Sequence, residues 1–213
     1  MFELIKRSFA DPRIYILVQK SLGAPRLRRM VVDEFLLPRP GERILDIGCG
    51  PGNILEMLPQ VDYVGFDTEP RYIDHARRRY DGRGEFHCEL FEERHAARLA
   101  AFDGIMLLGV LHHLDDAYAR RLLGLLAHSL KPGGRVVTVD PCFTEDQSKI
   151  ARWVALHDRG LFVRDAQGYA SLMRGGFKRQ HAEIRHNVTR VPSTERLVRL
   201  TEPIAGGQPA ASV

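Results

Sequence analysis

The stretch ILDIGCGPG, Ile44 to Gly52, is an apolar run that breaks into three glycines within five residues, Gly48, Gly50 and Gly52. A buried strand entering a glycine-rich turn and then a helix lets the chain reverse tightly and lets a ligand approach the backbone. Spacing narrows the ligand. A dinucleotide fingerprint, G-x-G-x-x-G, needs its third glycine at position 53, where Asn53 stands. No G-x-x-x-x-G-K-[ST] phosphate loop follows either. Nineteen residues beyond Gly48, the run YVGFD ends in Asp67. In a doubly wound sheet the end of the neighbouring strand lies about 4.8 Å to the side. A carboxylate there can accept both hydroxyls of a ribose diol and repels a 2′-phosphate. Its alternative reading is a helix cap before Glu69-Pro70.

Working outward, apolar runs recur at Arg43–Ile47, Tyr63–Phe66, Glu85–Cys88, Gly104–Leu108 and Arg135–Val139, with helical periods between most of them. Ile54, Leu55 and Leu58 predict a helix after the first strand, and Tyr72, Ile73 and Ala76 one after the second. Leu122, Leu123, Leu126 and Leu130 predict a helix stopped by Lys131-Pro132-Gly133-Gly134. A shorter helix is expected between Phe91 and Ala101. This alternation implies a parallel sheet with helices on both faces. Ile150, Trp153, Val154 and His157 mark a further helix, and Tyr169, Leu172 and Met173 another. Phe177–Val188 and Glu195–Thr201 then read as a terminal hairpin, so one antiparallel strand closes the sheet. Residues 1–40 read as a basic helical lid, with helices after Asp11-Pro12 and over Pro25–Phe35; 41–203 as the main α/β domain; 204–213 as a flexible tail.

Composition sets the outer limits. The chain has 213 residues, 31 Lys+Arg against 27 Asp+Glu, and three cysteines, Cys49, Cys88 and Cys142. Its 44% hydrophobic and 27% charged fractions are those of a globular domain, which excludes disorder and a disulfide scaffold. The net charge of +4 is a weak pointer to nucleic acid. Without a CxxC pair, a zinc ribbon or dithiol centre is not expected, nor any other metal site. No stretch approaches the ~20 apolar residues of a membrane span, and Lys6-Arg7 interrupts the only apolar start. A cytoplasmic protein is expected.

ILDIGCGPG, VGFD, FDGIMLLGVLHHLDD and LLAHSLKPGGRVVTVDP, in that order, resemble successive motifs of the class I S-adenosylmethionine-dependent methyltransferases, small-molecule type, from Arg43 to about Phe143. The resemblance implies a Rossmann-like seven-stranded sheet, ordered 3-2-1-4-5-7-6 with the seventh strand antiparallel. It implies S-adenosyl-L-methionine as cofactor. Asp46, Gly48, Cys49 and Gly50 would line its methionine half, Asp67 the ribose and Thr68 the adenine. Glu89 would meet the adenine amine in a place where Asp is commoner, and Leu108 would stand beside the cofactor at the end of the fourth strand.

After that strand come His112 and His113. Methyl transfer from a sulfonium needs alignment and a dry pocket, and a hydroxyl acceptor also needs a base near neutral pKa, for which histidine is suited. Either histidine is a candidate, His112 first; the alternative is packing around the loop while Asp115 caps the next helix. Asp140-Pro141-Cys142-Phe143 resembles the D-P-P-[YF] motif of amino-methylating enzymes but follows the fifth strand instead of the fourth. No nucleophilic role is expected for Cys142, and Asp140 is expected at the acceptor pocket's rim. Tyr15, Gln19, Trp153, His157 and Tyr169 are the polar-aromatic residues available to roof that pocket. The expected function is methyl transfer to a small-molecule acceptor, most readily at oxygen. RNA or protein methylation, or a catalytically silent cofactor-binding partner subunit, are the alternatives.

Overall fold

The computed structural model describes residues 11–158 and 160–204, so residues 1–10 of the expected lid and 205–213 of the expected tail lie outside the described residues. Helix α1, Pro12–Leu22, starts where the sequence says it should: the Asp11 side chain accepts from Arg13 N, and Pro12 occupies the first turn. Helix α2, Ala24–Met30, runs on into a wider π turn, Val31–Leu36, which buries Val31, Val32, Phe35 and Leu36. The sheet then builds from β1, Arg43–Ile47, and β2, Asp62–Asp67. Next come α3, Pro70–Arg79; β3, Glu85–Cys88; α4, Glu93–Arg98; and β4, Phe102–Leu108. Helix α5, Asp116–His128, leads into β5, Leu130–Phe143, and α6 spans Lys149–Leu156. The two-residue strand β6, Arg164–Asp165, precedes α7, Ala166–Met173, and the hairpin β7, Phe177–His186, with β8, Thr194–Pro203.

The strand order is β3-β2-β1-β4-β5-β8-β7, with β6 pairing beside β5. The first five strands are parallel, and β8 is antiparallel to both β5 and β7. Leaving aside the short β6, this is the expected 3-2-1-4-5-7-6 sheet with its single reversed strand. Because successive side chains point to opposite faces, the central strands feed two cores. Ile105 and Leu107 pack with Leu45, Phe66 and Leu122 on one face, while Met106 packs with Ile44, Tyr63 and Phe35 on the other.

Two local expectations fail for physical reasons, and one expected helix turns an unexpected face inward. After β1 there is no α-helix but a single 3₁₀ turn, Asn53–Met57. Leu58 is held extended, at φ −85° and ψ 146°, as the residue before Pro59 must be to spare its backbone a clash. The helix before the fifth strand ends at His128, not Leu130, because Leu130 already pairs with Phe102 in the sheet. Helix α6 buries Ala151 and Ala155, leaving Ile150, Trp153 and Leu156 outside. Small residues let it lie close to the sheet, so its apolar residues mark the wrong face.

A buried cation is one of the ties between the N-terminal helical segment and the sheet. Arg135 of β5, 6% exposed, donates to Leu36 O, to Leu37 O (3.2 Å) and to the Glu42 carboxylate (2.5 Å). Burial works to raise the Glu42 carboxyl; the hydrogen bonds and charge of Arg135 outweigh it and hold the group below its ordinary value.

Candidate functional site

The glycine loop is fixed to β2 by its backbone. Gly48 N and Cys49 N both donate to Phe66 O, at 2.8 and 3.0 Å. Gly50 N donates to Asp67 Oδ2 at 2.8 Å, and Glu69 N to Oδ1 at 2.9 Å. Asp67 therefore does hold the loop and start α3, yet each carboxylate oxygen keeps a lone pair for a ligand hydroxyl. Gly48 has φ +71°, and a Cβ there would lie 2.7 Å from Val110 Cγ2. This close approach needs glycine, and it brings the loop against the turn after β4. On β2, a Cβ at Gly65 would sit 2.8 Å from Cys49 Sγ, so Gly65 makes room for the loop's buried thiol.

A cavity of about 370 Å³, its open mouth included, lies over the loop. Asp46, Gly48, Cys49, Gly50 and Leu108 line it, five of the eight residues expected to bind the cofactor. Asp67 borders it through Gly50. Thr68 follows, exposed to solvent. Glu89 is turned to α4, with its carboxylate 2.7 Å from Arg94 and 3.3 Å from His95 Nε2. Phe91 is a core residue set edge-on to Phe66.

Two lining residues come from the lid and were not identified as cofactor contacts from sequence: Arg28 and Tyr15. The Tyr15 ring lies 4.0 Å from where a Cβ of Gly50 would stand and packs on Tyr72 at 4.9 Å, closing one side. Asp46 is buried at the floor and accepts from Tyr63 Oη at 2.6 Å. Burial raises its carboxyl to about 7 against the pull of Tyr63 and Arg28. A cation and a buried, poorly compensated carboxylate in one cavity suit a ligand carrying both charges, such as an α-amino acid group.

Beyond Val110 the chain makes a short 3₁₀ turn, Leu111–His113, before Asp115 caps α5 by accepting from Tyr118 N at 2.8 Å. His112 is buried and His113 exposed, their rings 4.1 Å apart. The His112 ring sits between two carboxylates. Nδ1 is 2.8 Å from Asp140 Oδ1 and Nε2 is 3.0 Å from Asp158 Oδ1. Asp140 also accepts from His112 N at 3.1 Å. Asp140 is thus not a rim residue; at 2% exposure it is the buried partner of the histidine. Burial alone would lower the ring's pKa, and the two carboxylates reverse this, raising it to about 9. Asp158 was not picked out from sequence at all. It lies 46 positions from His112, after α6, with no motif around it.

Other expected roof residues separate. Tyr169 is core, its hydroxyl donating to Pro141 O at 3.0 Å. Trp153 and His157 stack on each other at 4.3 Å on the outer face of α6. Gln19 is half-buried on α1 and does not line the cavity. Cys142 is fully buried, and burial pushes its thiol up to about 11, consistent with an inert packing role. Of the basic run on α3, Arg77 is occupied with Phe86 O and Arg79 with Glu56.

The fold places a polar cavity at the carboxyl ends of a doubly wound sheet, lined by groups that suit a ribose-bearing, zwitterionic ligand. Residues 45–136 match a family model described as a methyltransferase domain. A ubiquinone biosynthesis O-methyltransferase of Xylella fastidiosa is 32% identical over 123 residues, 55% of this chain and 49% of that protein. A probable tRNA methyltransferase 9B of Homo sapiens is 33% identical over 119 residues, 55% of this chain and 24% of that one. The chain thus spans from about a quarter to a half of the length of these relatives. Among solved structures, the pyocyanin biosynthetic protein PhzM superimposes with a TM-score of 0.67 at 21% identity, over 89% of this chain and 58% of that one. An O-methyltransferase family 2 protein from Planctomyces limnophilus gives 0.62 at 19% identity, over 91% of this chain and 62% of that one. The chain thus carries a methyltransferase domain over residues 45–136, on the fold of these solved structures. Its cofactor is S-adenosylmethionine, whose ribose and amino acid group the Asp67 edge and the Arg28–Asp46 cavity fit. Among the described residues, no helix is long and apolar enough to cross a membrane.

Proposed function

We propose that the protein transfers a methyl group from S-adenosylmethionine to a small-molecule acceptor at oxygen. The observation that carries this reading is the His112–Asp140 pair at the carboxyl ends of β4 and β5, one turn from the cofactor cavity through the Val110–Gly48 contact. Bound cofactor supplies an electrophilic methyl group on a sulfonium. Arg28 receives the carboxylate of its amino acid group, Asp46 the ammonium and Asp67 the ribose diol. Thr68 would stand toward the adenine end; Glu89, paired with Arg94 and His95 on α4, would have to leave them to reach it. Asp140 holds the His112 ring by Nδ1, and the two flanking carboxylates keep the ring protonated near neutral pH. Nε2 therefore accepts the acceptor's hydroxyl proton only after Asp158 has moved away and the Nε2 proton has left to solvent. Because Asp158 already occupies Nε2, a productive acceptor must displace that carboxylate. His113 stands beside the ring as the second candidate. Its three unpaired cysteines, two of them buried, suit a reducing cytoplasm.

Relatives named as O-methyltransferases, two of them in ubiquinone biosynthesis, support an oxygen acceptor. The tRNA methyltransferase relatives support a second reading, methylation of RNA. Incubating the protein and methyl-labelled cofactor with fractionated lysate separates the two. Label in the small-molecule fraction is expected. Label in RNA together with salt-sensitive RNA binding would replace the first reading with the second. Cofactor binding with no labelled product in any fraction would leave a silent binding subunit.

A further inference from the structure

We propose that His112, His113 and Asp158 form a binding site for one divalent transition-metal ion, zinc foremost, which when filled removes His112 from proton transfer. One ligand atom from each of the three lies within 4.8 Å of the others. One pair, His112 Nε2 and Asp158 Oδ1 at 3.0 Å, stands close to the roughly 3.3 Å that separates neighbouring ligands bound tetrahedrally at 2.0–2.1 Å. Two ligands on one such ion are at most about 4.2 Å apart, so any pair wider than that must close by a few tenths of an ångström. His113 and Asp158 are both solvent-facing enough to make that movement and to give an ion a way in.

The surroundings favour an ion in three further respects. Asp140 grips Nδ1 of His112, the carboxylate–histidine arrangement that fixes the tautomer and aims Nε2 at a metal. Two carboxylates, Asp140 and Asp158, flank the ring; on β8, Glu195 stands opposite Pro141 and Arg196 opposite Asp140. Among the described residues, the buried Asp140 Oδ2 has no hydrogen-bond partner. Two imidazoles and one carboxylate select zinc, cobalt or nickel over calcium or magnesium, which prefer oxygen donors throughout. On binding, a metal–nitrogen bond forms at Nε2, and the proton shared there with Asp158 leaves to solvent. Binding does not depend on His112 being the base; only the loss of activity does.

The test is calorimetric titration of zinc chloride into the chelator-stripped 213-residue chain, repeated with His113→Ala and Asp158→Asn. Both replacements are on exposed or half-exposed side chains, and thermal unfolding of each variant checks that it folds. One zinc per chain is expected, with affinity weakened about tenfold or more in each variant. Cobalt(II) should give visible ligand-field bands that both substitutions alter. No binding at about 100 μM zinc, or binding that neither variant changes, would overturn the site. Because heat and spectrum are read without methyl transfer, a failure here is separate from a failure of the proposed reaction.

Discussion

Asp67 and His112 divide the work of the site. Asp67 joins the glycine loop to the start of α3 by two backbone hydrogen bonds at 2.8 and 2.9 Å, and in the proposed function it would also hold the ribose. Charged hydrogen bonds of this kind are each worth about 1.5–3 kcal/mol. Asp67→Ala should therefore weaken S-adenosylhomocysteine binding by at least about tenfold, measured by calorimetry, and lower the unfolding temperature slightly. His112→Gln keeps size and a polar end but cannot serve as a base. It should retain cofactor affinity while lowering kcat by about 10²–10⁴-fold, the usual contribution of a positioned base. Unchanged kcat would remove His112 from the chemistry. His112 was readable in the sequence because it follows directly on a strand end. Its partners were not: Asp140 is 28 positions away and Asp158 is 46, and neither periodicity nor spacing encodes a contact made by two returning loops. Glu89 was read by its place at the end of a strand, while its actual neighbours, Arg94 and His95, are set by the next helix.

At the scale of elements, the strands were legible and the helices less so. A buried parallel strand declares itself by a continuous apolar run, and β1 and β3 begin and end where those runs do. The turn after β1 misled because three apolar residues at helical spacing were cut short by Pro59. Helix α6 was legible as a helix, while its buried stripe, Ala151 and Ala155, was not. The close contact between the glycine loop and the β4 turn gives a prediction. Gly48→Ala would combine a left-handed backbone, φ +71°, with a Cβ 2.7 Å from Val110. Destabilisation of about 1–3 kcal/mol and loss of cofactor binding are expected. A companion Val110→Ala change removes the contacting methyl groups and should recover part of the stability. Denaturant unfolding of the single and double variants measures both.

Over the whole molecule, the lid is held on the sheet by Arg135, so lid and sheet should unfold together. Arg135→Met removes a buried cation whose partners are Leu36, Leu37 and Glu42. Leaving Glu42 unpaired is expected to cost about 3–5 kcal/mol, visible as a lowered melting temperature. The same ion pair sets an acid limit. Glu42 and Asp103 are both held below their ordinary values. Burial opposes this in each, but Arg135 outweighs it at Glu42, and Arg43 N with Lys131 at Asp103. A lowered folded-state pKa contributes stability above the unfolded value that is lost as pH falls through the folded one. Unfolding temperature should therefore fall as pH drops below about 4.5, and Glu42→Gln should flatten that fall. The opposite slope would show that these carboxylates are not held by their partners.

The central claim is that the Asp46–Asp67 cavity holds S-adenosylmethionine under a lid bearing Arg28. Calorimetric titration of S-adenosylhomocysteine into the full chain and into Asp67→Ala and Arg28→Ala variants tests it most directly. Micromolar binding at one site per chain, weakened about tenfold or more by each substitution, is the predicted result. No binding to the unaltered chain, or binding that both variants leave unchanged, would contradict it.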